Sequence, residues 1–430
     1  MQEKITRSIA FTTFVAAMGA FLDGYDLSLL GGVFLFIKPL WHLTPGQIGL
    51  IGSVGFLGMA LGGIIFGRVT DKLGRRESFI IDLIILTIGG VLCAVSPNLS
   101  ILVIGRFLVG FGIGADIPIS TSLIAEISPT DKRGFLTGMM QPFWFIGAAS
   151  SGVISALFVT YGNDQAWRWI FGTGVIIAIV VILLRMRIPE SPRWLAAKQS
   201  KETIRVSQVK TLFVKPYLLP LIVVSLFWFL VVARGASFNT YMPILLKMFG
   251  FHSKAAALWM NSLLWGIYAL TTIGFTFFID KFKRRTLVIY GWLFDTILTG
   301  SLAFVHSSQA ALFVILMLCS TIFNQLVTIV LYPWSVEFFP TMLRATAQGI
   351  STGARNVGGV ATSLVFPIIM SSFGWEGAVL SVVTVMAVGL ALGIVLRPVE
   401  TTKRSLEEIS DEHLTLGEVT SENSKTQFHV

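Results

Sequence analysis

Twelve runs of about twenty mostly apolar residues succeed one another along this chain, and they leave it few folds to choose from. A bilayer core offers backbone N–H and C=O groups no partners, so runs of this length cross it as helices whose hydrogen bonds close internally. The expected spans are residues 8–36, 47–67, 78–96, 100–124, 134–161, 167–187, 217–246, 255–279, 286–306, 309–334, 345–372 and 376–396. The longest polar stretch before the tail separates the sixth from the seventh. The chain therefore reads as an all-α integral membrane protein. A six-helix bundle covers residues 1–188, a linker 189–215, a second six-helix bundle 216–397 and a tail 398–430.

Of the 430 residues, 54% are hydrophobic and 13% charged, where a soluble chain has about a quarter charged. The net charge of +9 is distributed on one side. With an even number of spans both termini share a side. There fall 25 of the 32 Lys and Arg residues; four (Lys38, Arg168, Lys247, Lys254) lie opposite and three (Arg106, Arg234, Arg355) within spans. The positive-inside rule then places both termini, the linker and the tail in the cytoplasm of a multi-pass cell-membrane protein. The basic charge is thus a topology signal, and no nucleic-acid partner is expected. Cys93 and Cys319 each sit inside an apolar run, without disulfide or metal spacing. The first span is too long and too polar (Asp23, Asp26), and the segment before it too short, for a cleaved signal peptide.

The two halves repeat. Asp71-Lys72-Leu73-Gly74-Arg75-Arg76 follows span 2, and Asp280-Lys281-Phe282-Lys283-Arg284-Arg285 follows span 8. Glu126 precedes Arg133 by seven residues after span 4, and Glu337 precedes Arg344 by seven after span 10, with Pro129 and Pro340 three beyond each Glu. Matches at offsets of 209 and 211 residues indicate a parallel duplication, which builds two bundles around a cavity near the bilayer midplane.

Gly67-Arg68-x-x-Asp71-x-x-Gly74-Arg75-Arg76 resembles the signature between helices 2 and 3 of the major facilitator superfamily; the second copy departs at Lys283, where a glycine is common. Gly105-Arg106, Pro189-Glu190-Ser191-Pro192-Arg193, Pro398-x-Glu400-Thr401 and Ser405-Leu406-Glu407-Glu408 resemble the sugar-porter and metabolite:proton-symporter branches (Arg404 replaces the usual glycine before Ser405). The resemblance covers about residues 8–408 and implies twelve helices in two pseudo-symmetric bundles. It also implies a cytoplasmic gate of salt bridges among Asp71, Gly74, Arg75, Arg76, Glu126 and Arg133 and their repeat partners Asp280, Arg284, Arg285, Glu337 and Arg344. Interfacial pairs of modest strength can be broken and remade as the halves rock.

Ionisable groups within spans are costly and point to function. Helix rise puts Asp23 and Asp26 roughly 22 and 27 Å above the start of span 1, on one face, and Arg106 roughly 30 Å above Glu126. Asp26 and Arg106 therefore share a depth in the N-terminal bundle and can pair. In sugar-porter-like symporters the matching Asp of Gly24-Tyr25-Asp26 and the helix-4 Arg couple transport to protons. The Arg keeps the Asp ionised, and low dielectric favours the protonated acid once the Arg moves away. Asp23-Gly24-Tyr25-Asp26 also resembles the aromatic-acid:proton symporters, which makes Asp23 a second candidate. Asp116 lies about 15 Å above Glu126. Its segment, 114–118, resembles one in phosphate and organic-solute members, so it is expected to bind a proton or a polar solute group. Arg355, roughly 16 Å above Arg344, and Arg234, roughly 25 Å into span 7, need counter-charges that an internal carboxylate or an anionic substrate would supply. Asp82, only about 9 Å in, is expected to join the inner charge network; Asp295 has no assigned part.

Spans 5, 7, 8 and 10 are expected to face the cavity with Gln141 and Trp144; Asn239 and Tyr241; Asn261, Trp265 and Tyr268; and Asn324 and Gln325. Amides and aromatic walls suit a compact organic solute. The glutamine pair that marks span 7 of sugar porters is replaced by residues 231–235, which counts against a hexose. No Walker motif, catalytic constellation or loop with room for an extra domain is present. The sequence thus leads to a secondary transporter, not an enzyme, expected to be monomeric. It would carry a small organic solute (a carboxylate, sugar acid or related polar metabolite) together with protons, needing no cofactor beyond the proton gradient. The alternatives are a facilitative or proton-coupled sugar transporter, a phosphate:proton symporter and a non-transporting membrane receptor. Asp23, Asp26, Arg106 and Asp116 fall in the N-terminal half, Arg234 and Arg355 in the C-terminal half. That division suggests one half for the proton and one for the solute.

Overall fold

The computed structural model describes residues 2–161, 165–199, 209–251, 253–341, 343–396, 400–402 and 404. The side chains of Asn239 and Tyr241 and the tail motif 405–408 lie outside the described residues. Nearly everything described is helical. The N-terminal half holds α1 (Gln2–Leu40), α2 (Pro45–Leu73), α3 (Arg75–Val95), α4 (Leu99–Ile127), α5 (Arg133–Gly138), α6 (Met140–Tyr161) and α7 (Ala166–Arg185). The linker forms α8 (Pro192–Gln199) and a short 3-10 turn, Val209–Phe213. The C-terminal half holds α9 (Leu218–Met248), α10 (Lys254–Thr276), α11 (Arg284–Ser301), α12 (Ala310–Glu337) and α13 (Arg344–Val395).

Local chemistry sets the helix ends. Thr44 and Gln47 form a capping box at the start of α2, with Pro45 in its first turn. The Asn98 side chain accepts from Ile101 N at 3.1 Å and starts α4. Gly74, at φ 108°, lets α2 pass directly into α3. The repeat copy has Lys283 at φ −62° instead, and α10 ends early, at Thr276. The missing glycine is thus accommodated by a longer turn over residues 277–283.

Eleven stretches among the described residues are long and apolar enough to cross a membrane. The expected spans 345–372 and 376–396 are one element, α13, broken at Gly374 (φ 70°, ψ −170°). The part before the break is the one not among the eleven. It buries Thr346, Gln348, Ser351, Thr352, Arg355 and Asn356, so its interior face is polar.

The halves meet mainly along α2 against α13 and α6 against α10. The first contact is a seam of small residues that lets backbones approach closely. A Cβ on Gly349 would overlap the Gly63 carbonyl oxygen, and one on Gly67 would press on the Ala345 carbonyl.

Candidate functional site

Between the halves lies a cavity of about 280 Å³, near the lower end of the roughly 300–1,000 Å³ typical of small-molecule sites. Gln141, Trp144 and Phe145 line it from α6, Trp228 from α9, Asn261 and Trp265 from α10, Asn324, Gln325 and Tyr332 from α12, and Arg355 and Asn356 from α13. The rings interlock across the halves, Trp144 meeting Trp265 at 5.5 Å and 73°, while Trp228 stands edge-on to Tyr332 at 5.1 Å. Gln141 bridges the halves too: it donates to Gln325 Oε1 at 3.0 Å and accepts from Tyr332 Oη at 3.0 Å. Other wall groups keep capacity for a solute. Nε1 of Trp228 and Trp265 and both amide atoms of Asn356, itself 1% exposed, have no hydrogen-bond partner among the described residues. Sequence reading missed Trp228, Tyr332 and Asn356. The adjacency of Asn356 to an intramembrane arginine was the available signal.

The intramembrane charges sort differently from expectation. Asp26 and Arg106 do meet, Nη1 to Oδ2 at 2.6 Å, joining α1 to α4. Asp116 is not on the cavity wall. Arg185, counted by sequence among the basic-side charges, is fully buried and grips Asp116 at 2.5 Å and Asp82 at 3.3 Å. Asp82 therefore belongs to this cluster of α3, α4 and α7 and not to the gate. Arg234 is a second correction. It is 1% exposed and donates to Asp295 at 3.1 Å and Ser320 at 2.9 Å, so an internal carboxylate, not a solute, answers its charge. Asn324 reaches the cavity, yet its Nδ2 donates to the same Asp295 at 3.0 Å. Arg355 does face the cavity, and its partner is Asp23 of the other half, at 3.4 Å. The expected division into a proton half and a solute half is crossed by this pair.

On the basic side, helix ends from one half are capped by carboxylates from the other. Asp71, in the last turn of α2, accepts from Thr346 N at 2.8 Å, Thr346 Oγ1 at 2.6 Å and Ala345 N at 3.4 Å. Unpaired N–H groups and the dipole at the start of α13 favour that negative charge. Arg75 joins Asp71 at 3.3 Å to Glu126 at 2.8 Å and donates to the Thr341 carbonyl at 3.0 Å; Arg344 reaches Glu126 across the halves at 3.1 Å. The second copy mirrors the first. Asp280 accepts from Phe135 N at 2.7 Å in α5, Arg284 joins Asp280 at 3.5 Å to Glu337, and Arg133 reaches Glu337 across the halves at 3.7 Å. Burial pushes the Asp280 carboxyl above its ordinary range, against the pull of Phe135 N–H and Arg284.

A further pair of caps completes the repeat. Glu190 accepts from Arg75 N and Arg76 N at 2.9 and 3.1 Å, and Ser191 donates to Glu126 at 2.5 Å. Glu400 accepts from Arg284 N and Arg285 N at 3.3 and 3.4 Å, and Arg284 donates to Thr401 at 2.7 Å. Glu190-Ser191 and Glu400-Thr401 are therefore a third duplicated element. Arg76 and Arg285 correct the expected gate: they enter it by their backbone N–H groups. The Arg76 side chain donates to the Met186 carbonyl of its own half, at 3.2 Å.

Two helical bundles, a solute-sized cavity between them and capped, ion-paired helix ends shutting one side are the architecture of a membrane transporter. The chain belongs to the sugar (and other) transporter family, whose profile matches residues 12–210 and 197–413. It is a membrane transporter and not an enzyme. It is 26% identical over 412 residues to the putative metabolite transport protein YaaU of Escherichia coli K12, covering 91% of this chain and 92% of that one. It is 27% identical to the putative niacin/nicotinamide transporter NiaP of Bacillus subtilis, covering 80% and 85%. In fold it is similar to the E. coli proton:xylose symporter XylE bound to 6-bromo-6-deoxy-D-glucose, with a TM-score of 0.84 at 22% identity over 95% of this chain and 99% of that one. Against the inward-open form of XylE the TM-score is 0.64.

Proposed function

We propose that this protein is a proton-coupled symporter that imports a small organic carboxylate across the cytoplasmic membrane by alternating access. The observation that carries the reading is Arg355: a guanidinium on the wall of an aromatic cavity, facing the place a solute would occupy. Its planar donor fork suits a carboxylate. Asn356 and the Trp228 and Trp265 N–H groups supply further hydrogen bonds, and the rings suit a flat or compact body. A small ring bearing a carboxyl or amide, as in the name of the relative NiaP, fits these walls. The proton gradient is the driving force, with Asp26 beside Arg106 and Asp23 beside Arg355 as the acids that handle protons, and the monomer as the working unit.

The gate network supports the cycle. Its cross-half contacts shut the basic side, which the positive-inside rule makes cytoplasmic. Opening it uncaps the two helix ends held by Asp71 and Asp280. A second reading, sugar transport, draws on the family and on the unpartnered Asn356 amide, which can both donate and accept. Uptake into proteoliposomes separates the two. Carboxylate accumulation should follow an imposed inward proton gradient, and Asp26→Asn should abolish accumulation while sparing solute exchange. Gradient-driven accumulation that survives Asp26→Asn would remove that residue from the coupling, and xylose exchange indifferent to pH would favour the sugar reading.

A further inference from the structure

We propose that Asp23 is an internal stand-in for the solute's carboxylate: in the empty carrier it occupies Arg355, and solute and Asp23 exchange on that guanidinium in each cycle. The inference rests on the carboxylate reading above. Its geometric basis is the position of the two groups. Arg355 lies on the cavity wall with its side chain 10% exposed, whereas Asp23 is 4% exposed and absent from that wall. The guanidinium thus fronts the cavity with its partner behind it. To Asp23 the contact is a single one, Nη2 to Oδ2 at 3.4 Å; the guanidinium also hydrogen-bonds the Tyr332 hydroxyl, and Arg355 Nε has no hydrogen bond among the described residues. A bidentate guanidinium–carboxylate pair is shorter and uses two parallel donors. Donor capacity is therefore left for an incoming carboxylate, with the Trp228 ring, 5.3 Å from the Arg355 Cζ, flanking the same guanidinium.

Charge balance turns this exchange into coupling. The groups that act on Asp23 are Arg355 of α13, Asp26 of its own helix, Trp144 of α6 through a hydrogen bond, Asp116 of α4 and Tyr332 of α12. Asp26 is answered by Arg106, and Asp116 shares Arg185 with Asp82, so Arg355 is the cation left for Asp23. Empty, the Asp23–Arg355 pair is neutral. With solute and proton both bound it is neutral again: the solute's carboxylate takes Arg355, and the proton sits on the Asp23 carboxyl. Solute alone would put two carboxylates on one guanidinium, and a proton alone would leave Arg355 buried without an anion. Both half-loaded states carry an uncompensated charge in a largely desolvated site, which is costly. Asp23 and Arg355 also belong to opposite halves, so the pair is remade whenever the unloaded halves close.

Binding in detergent, followed by quenching of the cavity tryptophans, tests this with benzoate and gluconate as carboxylate probes and xylose as an uncharged one. By linkage, proton and anion should help each other bind, so benzoate affinity of the wild type should rise at least about fivefold between about pH 7.5 and about pH 5.5. Asp23→Asn should bind at the higher pH as tightly as the wild type does at the lower, with no pH dependence. An Asp23→Asn protein that binds more weakly, or retains the wild-type pH slope, would overturn the exchange. Should that variant not fold, weakly buffered titration of the wild type gives a second readout: one proton is taken up per benzoate bound, and no uptake refutes the proposal. If neither carboxylate binds the wild type at either pH, the carboxylate reading itself fails and this inference falls with it.

Discussion

Replacing Asp71 by Asn should loosen the closed gate without dismantling either half. Asn keeps the size of the side chain and one acceptor oxygen, but the negative charge at the start of α13 is lost. Two of the three bonds Asp71 makes to α13 are 2.6 and 2.8 Å long, and all cross between halves. Turning such charge-assisted bonds into neutral ones costs about 1 kcal/mol each, and loss of the charge–dipole interaction costs about 0.3–1 more. Arg75 still has Glu126 of its own half, so that pair cancels between open and closed forms. The closed form should therefore lose about 2.3–3 kcal/mol relative to the open one, a shift of roughly 50- to 150-fold in their ratio. Spin labels on exposed Lys72 and Lys281 positions, converted to Cys in a Cys93→Ala/Cys319→Ala background, report the separation of the halves on the basic side. The variant should gain a population at longer distance. An unchanged distance distribution in Asp71→Asn would refute the view that capping α13 from the opposite half holds the gate.

Three further outcomes follow from the same contacts. Gly349→Val should open the basic side in the same label pair while leaving helix content unchanged, since its Cβ would overlap the Gly63 carbonyl of the other half, and overpacking of this kind costs about 1–3 kcal/mol. Burial holds the Asp280 carboxyl above its ordinary value in the closed form. The closed form thus binds that proton more readily than a solvated open gate, gains as pH falls toward the ordinary carboxylate range and loses as pH rises through the raised value. The label distance should accordingly lengthen with rising pH, and Asp280→Asn should flatten that response. Arg234→Met should strand Asp295 in the bundle interior at a cost of about 3–5 kcal/mol, and the double replacement Arg234→Met/Asp295→Leu should recover most of it. Thermal unfolding in detergent measures both, and a double variant no better than the single one would mean that the pair does more than satisfy itself.

The all-helical character and the duplication were legible because each has a cause that acts locally. An apolar run of bilayer length must be helical, and two loops that repeat Asp-Lys-x-x-Arg-Arg must sit at matching places. The Asp26–Arg106 pair was legible too, since helix rise alone puts both at one depth. The partners of Asp116 and Arg234 were not. Which of several buried cations meets a given acid depends on how helices are rotated about their axes, and periodicity within one span does not fix rotation against its neighbours. Arg185 shows the difficulty well: at the end of an apolar run next to basic residues, it looks like a topology signal, and only the packing of α3 and α4 on α7 turns it inward. Asn356 escaped because an asparagine on a polar face is common, and its lack of any partner is visible only in three dimensions.

The charges divide by what a rocking motion would do to them. Asp26–Arg106, Asp82–Arg185–Asp116 and Arg234–Asp295 each lie within one half, so rigid-body movement leaves them intact. Asp23–Arg355, Glu126–Arg344, Arg133–Glu337 and the caps supplied by Asp71 and Asp280 span the halves and must break as those halves separate at each place. A pair inside one half can couple protons to transport only if α1 shifts against α4 or water reaches it in one state. A pair between halves is coupled to the motion by its position alone. Asp26 and Asp23 therefore make different demands on the mechanism. Neutralising Asp26 tests for a local rearrangement inside the N-terminal half, whereas neutralising Asp23 tests the exchange at the interface, and the pH dependence of carboxylate binding tells the two apart.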